Sequence, residues 1–114
     1  MSIKRGLLVA HLMCVFGSAV ANGEIVTVKY RGPLDLDNLR CEWVTRSSLV
    51  QRLCHDPRQS YVVVNLNGTY YHYCGVPASV VAEWRQAESM GRFYSASIKG
   101  RYDCRVGPVP RYPN

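Results

Sequence analysis

The sequence contains no C-x-x-C pair, no G-x-S-x-G elbow, no internal repeat and no low-complexity tract. Each absence removes a class of protein. Zinc sites usually carry a closely spaced ligand pair, and here His55 and His72 are scattered. The missing elbow removes the strand–turn–helix nucleophile of the α/β-hydrolases. Without repeats there is no solenoid or propeller. The longest apolar stretch, residues 7–20, is about 14 residues, short of the roughly 20 that a membrane-spanning helix needs. Acidic residues are also scarce, 8 against 14 Lys and Arg. A basic excess of this size suits an acidic surface or an anionic polymer, but does not by itself require one.

What is present begins with an export signal. Lys4 and Arg5 precede the apolar stretch, and Ala19 and Ala21 follow at the small-residue spacing of a cleavage site, so cutting is expected after Ala21. A lipid-modified Cys14 is not expected, because His11 and Met13 do not form a lipoprotein box. The mature chain would start at Asn22, without Lys4 and Arg5; it keeps 12 basic and 8 acidic residues, a net charge of about +4. Of five cysteines, Cys14 leaves with the signal, and Cys41, Cys54, Cys74 and Cys104 remain. An even number in a small exported chain reads as two disulfides rather than a metal site or free thiols. Each bridge would add roughly 2–4 kcal/mol to a core that is marginal at this size. The expected location is periplasmic or secreted, with no membrane span after cleavage.

Periodicity predicts an α+β domain: a small antiparallel β-meander or hairpin sheet packed by one helix and stapled by disulfides. Residues 25–30 (IVTVKY) alternate as a short half-buried strand. Residues 34–44 form a poorly patterned connector. Residues 49–55 approach a turn at residues 56–60, and residues 61–66 (YVVVNL) run into Asn67-Gly68, the strongest two-residue hairpin signal. Residues 69–74 (TYYHYC) return antiparallel. With that loop, Leu66 faces Thr69, Val64 faces Tyr71 and Val62 faces Tyr73, which puts Val62, Val64, Tyr71 and Tyr73 on one face and Tyr70, His72 and Cys74 on the other. Pro77 suits the start of a helix, and Val80, Val81, Trp84 and Ala87 make its apolar stripe, expected to pack on the Val62/Tyr71 face. Gly91 is the expected stop. The prolines at 108, 110 and 113 argue against regular structure in the tail.

The meander limits the disulfides. Cys54 and Cys74 would flank the central strand, about 9–10 Å apart at the usual strand spacing, beyond the roughly 7 Å that a bridge tolerates. That disfavours Cys54–Cys74 with Cys41–Cys104. Both remaining arrangements staple the N-terminal extension and the tail to the hairpin sheet; of the two, Cys41–Cys74 with Cys54–Cys104 is preferred.

The ordered set Ser47-Ser48, His55-Asp56-Pro57, Tyr71-His72-Tyr73, Gly75-Val76-Pro77, Gly91-Arg92-Phe93-Tyr94 and residues 98–102 (IKGRY) resembles the KTSC domain, a module of about 60 residues named for its occurrence at the C-terminus of some lysyl-tRNA synthetases. The resemblance implies a bacterial origin and a compact hairpin-plus-helix unit. It implies no activity and no catalytic residues. Versions of this family that look cytoplasmic need no cysteines, so this chain resembles an exported branch, and a tie to tRNA is not expected. The organisation is then a signal at 1–21, an extension at 22–45, the KTSC-like domain at 46–104 and an irregular tail at 105–114.

Candidate sites are few. Tyr71 and Tyr73, with Gly75, Val76 and Pro77, form the family motif; the tyrosines suit a stacking platform, but their pairing with Val64 and Val62 favours a core face. His55 and Asp56 are adjacent on a strand and point to opposite faces, so adjacency does not make them an acid–base dyad. His72 has no carboxylate placed by sequence to orient it, and a catalytic Cys74 would need a free thiolate. Asn67-Gly68-Thr69 matches a glycosylation acceptor, but the hairpin explains it better. Arg92, Tyr94, Lys99, Arg101 and Tyr102 interleave charge with aromatic surface and form the candidate binding segment. The expected function is a non-catalytic module that binds a partner, such as an envelope protein or anionic polymer, or stabilises an envelope assembly; the alternative is nucleic-acid or anionic-polymer binding through the basic and aromatic C-terminal segment, with nucleic acid not favoured. No metal and no cofactor are expected.

Overall fold

The structure is a computed structural model and describes residues 23–113. The expected signal at 1–21, with Cys14, lies outside them. Six strands form one sheet: β1 (Ile25–Val28), β2 (Gly32–Asp35), β3 (Arg40–Trp43), β4 (Val50–Asp56), β5 (Tyr61–Leu66) and β6 (Thr69–Cys74). Helices α1 (Ala78–Gln86) and α2 (Met90–Phe93) follow, and α2 runs into a π-helical turn at Tyr94–Ile98. The spatial order is β2-β1-β6-β5-β4-β3. The sheet is mixed rather than purely antiparallel, because β1 pairs with β6 in parallel, at Val28 opposite Tyr70.

The hairpin has the expected register, Leu66 opposite Thr69, Val64 opposite Tyr71 and Val62 opposite Tyr73. Its loop residues Asn67 and Gly68 have φ of 50° and 96°, the left-handed pair that a type I′ turn needs and that glycine adopts without a Cβ penalty. The β4 strand is irregular at Gln51: Val50 sits opposite Leu66 while Arg52 sits opposite Asn65. The extra residue reverses the side-chain alternation. Val50 therefore joins the helix-side core, and Arg52 turns to the other face.

Each face of the sheet carries a core. On the outer face Val50, Leu53, Val62, Val64 and Leu66 pack with Val76, Val81, Trp84, Met90, Tyr94 and Ile98. This is the expected helix-on-hairpin contact; each fully buried side chain of this kind contributes about 1.5–3 kcal/mol. On the inner face Cys54, Tyr61 and Val63 pack with Val28, Leu34, Leu36, Leu39 and Cys104. The inner core exists because the sheet curls: edge strands β2 and β3 are joined by a single 3-10 turn, Leu36–Asn38, which lays Leu36 and Leu39 across the concave side.

Three expectations need correction. The connector at 34–44 is structured as β2, the 3-10 turn and β3, with the Asp35 carboxylate capping the turn by accepting from the Asp37 amide at 2.9 Å. The preferred disulfides are also wrong: the bridges are Cys41–Cys54 and Cys74–Cys104. With β3 beside β4, Cys41 is the direct register partner of Cys54, and the tail returns along β6 to meet Cys74. Cys54 and Cys74 are two strands apart and unbridged, as the spacing argument required. Finally, Gly91 does not stop α1. That helix ends at Ala87, where the backbone becomes extended, and the Arg46 guanidinium donates to the Arg85 and Ala87 carbonyls at 2.7 and 2.8 Å. Gly91 instead lies in α2, whose N-cap Ser89 accepts from the Arg92 amide at 3.1 Å; regular structure therefore reaches Ile98, well beyond the expected stop.

A candidate binding cleft at the open edge of strand β6

Strand β6 is covered on its free edge only at its two ends. In an antiparallel hairpin alternate residues exchange both backbone bonds with the partner strand, and the residues between them point their backbone groups outward. Tyr70 and Cys74 are of the outward kind. The Tyr70 carbonyl accepts from the Lys29 amide, and the Cys74 amide donates to the Tyr102 carbonyl, both at 2.8 Å. His72 lies midway between them, so its N–H and C=O point to the same edge. Neither has a backbone or side-chain partner among the described residues. Here β1 has already turned away at Tyr30, and the tail has not yet arrived.

A cleft of about 760 Å³ occupies this gap, lined among others by Tyr30, Tyr71, His72, Tyr73, Arg101 and Asp103. A second hollow of about 570 Å³ shares Tyr30, His72 and Val109 with it and adds Arg31 and Arg111. Tyr30 is 87% exposed and holds a left-handed backbone, φ 69°, uncommon for a bulky residue. The Cys74–Cys104 bridge pins the far wall.

The His72 ring is set by groups beneath it. Tyr61 is fully buried, and its hydroxyl lies 2.9 Å from Arg31 Nη1 and 2.8 Å from His72 Nδ1. Arginine only donates, so the Tyr61 oxygen accepts from Arg31. A buried hydroxyl proton needs an acceptor, and His72 Nδ1 is the one within reach. The neutral ring therefore carries its proton on Nε2, which has no partner among the described residues. Burial, reinforced by the Arg31 charge, holds the His72 pKa below its ordinary value while Asp103 pulls it up. Burial raises the Tyr61 hydroxyl. Hydrogen bonds from Arg105 hold the Asp103 carboxyl down to about 2, so that pair is fully ionised at neutral pH. Arg31 also stacks on the rings of Tyr61 and Tyr112, and the Tyr112 hydroxyl donates to Asp56 Oδ2 at 2.7 Å, which holds the tail in place.

The structure separates the residues singled out in the sequence. Arg101 reaches the cleft. Tyr71 and Tyr73 are half-buried, packing on the helix-side core while lining the cleft. Tyr102 contributes its carbonyl to Cys74. Tyr94 is a core residue whose hydroxyl meets that of Tyr73 at 2.5 Å, so it offers no face to a ligand. Arg92 and Lys99 are exposed and line neither hollow. In the family motif Gly75 takes a left-handed turn, Val76 is fully buried and Pro77 precedes α1 as its N-cap. Asp56 is a turn residue, accepting from the Arg58 amide at 3.1 Å, while His55 faces the opposite side. Sequence reasoning missed Tyr30, Arg31, Tyr61 and Asp103. For Tyr30 and Arg31 the one signal in the sequence is the Gly32-Pro33 that follows them, a turn-forming pair that does not say what the turn faces; Tyr61 and Asp103 carry none.

This fold defines a small disulfide-stapled module with a curled sheet, two short helices and an aromatic, basic cleft. The KTSC domain family model matches residues 46–102, and the chain belongs to that family. A crystal structure of a KTSC domain protein from Yersinia pestis is similar, with a TM-score of 0.54 and 27% identity over 57% of this chain and 92% of that one. No curated protein matches. The matched segment ends at Tyr102, so Tyr30 and Arg31 on one wall, and Asp103 and Arg105 on the other, lie outside it.

Proposed function

We propose that this protein is a non-catalytic binding module that acts outside the cytoplasm, and that its ligand occupies the β6 cleft. The observation that carries this reading is the Cys74–Cys104 bridge. It fixes an otherwise irregular tail against β6, walling off polar backbone and aromatic surface that a purely structural tail would cover. The tautomer of His72 supports a non-catalytic role. A histidine acting as general base presents an unprotonated nitrogen to the nucleophile, its other nitrogen donating to a carboxylate; here the protonated nitrogen faces the cleft. The four cysteines among the described residues are all paired, so none of them offers a thiolate nucleophile. Export is supported by the two disulfides, and among the described residues no helix is long and apolar enough to cross a membrane.

The test is capture from periplasmic extract with the mature chain and with Tyr30→Ala and Arg101→Glu variants of unchanged fold. Species retained by the wild type and lost from both variants are expected; a captured set indifferent to both substitutions refutes the cleft. A second reading, an anionic polymer, draws on the charge at the cleft, where Arg31, Arg101, Arg105 and Arg111 outnumber Asp103. It requires affinity that falls steeply with salt.

A further inference from the structure

We propose that the ligand of this cleft is an extended acidic polypeptide segment that adds to the free edge of β6 by pairing with the backbone of His72. The inference rests on the binding reading above and names its ligand class. The edge of a sheet is a template for another strand, and strand addition takes its affinity from main-chain hydrogen bonds and its specificity from the pockets beside them. At His72 one donor and one acceptor of the main chain point into the cleft, between the Lys29–Tyr70 bond on one side and the Cys74–Tyr102 bond on the other. A peptide bond supplies both complements at strand spacing; a sugar or phosphate chain carries no such repeat.

The side chains select the sequence. Successive residues of an added strand point alternately to the two faces of the sheet. On the inner face they meet Nε2–H of His72, which only donates, and Arg31 beneath it. On the outer face they meet the rings of Tyr71 and Tyr73, and Arg101 stands at the rim. Of the two cations that line the larger cleft, Arg105 is held by Asp103 at 2.6 Å, which leaves Arg101 without a carboxylate partner among the described residues; Arg31 and Arg111, in the adjoining hollow, have none there either. The complement is a segment alternating acidic and apolar residues.

The probe is a blocked hexapeptide alternating Glu and Val, titrated into the isotope-labelled mature protein. Saturable binding with a shift of the His72 amide is expected. N-methylation of the two central Glu residues and, in a separate peptide, of the two central Val residues tests the pairing, since one of these sets faces β6; one peptide should lose at least tenfold in affinity. Arg101→Glu should weaken the parent peptide by a similar factor. Absence of saturable binding up to millimolar peptide overturns the inference, as does unchanged affinity of both methylated peptides. An oligothymidylate that binds with Arg101 dependence while the peptide does not would leave the cleft reading standing and refute the peptide. If neither probe binds and cleft substitutions leave extract capture unchanged, both fall.

Discussion

The two disulfides should be separable in their effects. Cys41–Cys54 closes a loop of 13 residues and Cys74–Cys104 one of 30. The chain-entropy relation gives about 2.9 kcal/mol for the first and about 3.6 kcal/mol for the second. Replacing either pair by alanine should lower the stability of the folded domain by about these amounts, and the melting temperature by roughly 12–29 °C for a domain of this size. Urea unfolding followed by tryptophan fluorescence measures the loss.

The consequences for the cleft differ. Cys41 and Cys54 lie on strands that are paired along their length, at Arg40–His55 and Glu42–Leu53, so the strands stay together without the bridge. Near Cys74 the tail has one hydrogen bond besides the bridge, from the Cys74 amide to the Tyr102 carbonyl; its other anchors, Val109 and Tyr112 on the inner core and the Tyr112 hydroxyl on Asp56, lie further along the chain. The Cys74→Ala/Cys104→Ala protein should therefore lose hydrogen-exchange protection of the amide at position 74 and lose ligand binding. The Cys41→Ala/Cys54→Ala protein should keep both. A protected position-74 amide in the first protein would show that the tail is held by contacts other than the bridge, and the account of the cleft wall would be wrong.

Tyr61→Phe removes the hydroxyl between Arg31 and His72 and should cost about 1 kcal/mol in urea unfolding, because these two half-buried groups lose a hydrogen bond; nitrogen NMR of the His72 ring should show Nε2–H in the wild type and a tautomer mixture in the variant. His55 and His72 both have folded pKa values below the ordinary imidazole value of 6.5, chiefly through burial. Their neutral forms favour the fold, so stability should be complete above about pH 6.5 and fall as pH drops toward the folded values; His72→Gln should flatten that slope. At lower pH a second loss should appear: the Arg52 hydrogen bonds hold the Glu24 carboxyl below its ordinary value, so its contribution is present above about pH 4.5 and declines as pH falls toward the folded value, a decline that Glu24→Gln should remove. Arg46→Ala deprives the end of α1 of its carbonyl donors and should cost about 1 kcal/mol at this exposed site.

The parts of the fold that were legible in the sequence are those whose signal is local. The Asn67-Gly68 loop set the register of β5 and β6, and the Val81/Trp84 spacing set which face the helix buries. The strand at 25–30 was legible from its alternation, but the connector at 34–44 was not, because β2 and β3 are four residues each, too short to show a pattern, and because their ordering depends on their partners: β2 pairs with β1, and β3 is held by β4. The same limit applied to the disulfides. Spacing between strands could exclude one connectivity, but choosing between the other two required knowing that β3 lies beside β4. At the cleft, Arg101 was visible as charge beside aromatic residues, whereas Tyr61 read as an ordinary strand residue. Its role comes from Arg31, thirty positions away, which reaches it only because β1 docks on β6.

The bridges also show how this chain departs from the module it shares with its family. Each joins one cysteine inside the matched segment, Cys54 or Cys74, to one outside it, Cys41 or Cys104. Within that segment lie β4, β5, β6 and the helices, which already bury the outer face of the sheet. The inner face of such a unit would expose Tyr61 and Val63 to water. In this chain the extension covers that face with Val28, Leu34, Leu36 and Leu39, and a covalent bond holds the extension and the tail in turn. Neither addition covers the edge of β6 at His72. A chain that gained these parts for stability alone would be expected to close that edge too, since two more residues of β1 in register would bring Tyr30 opposite His72 and pair it. The edge left open, beside charged and aromatic residues supplied largely by the additions themselves, is the reason to look for the ligand there rather than on the shared surface.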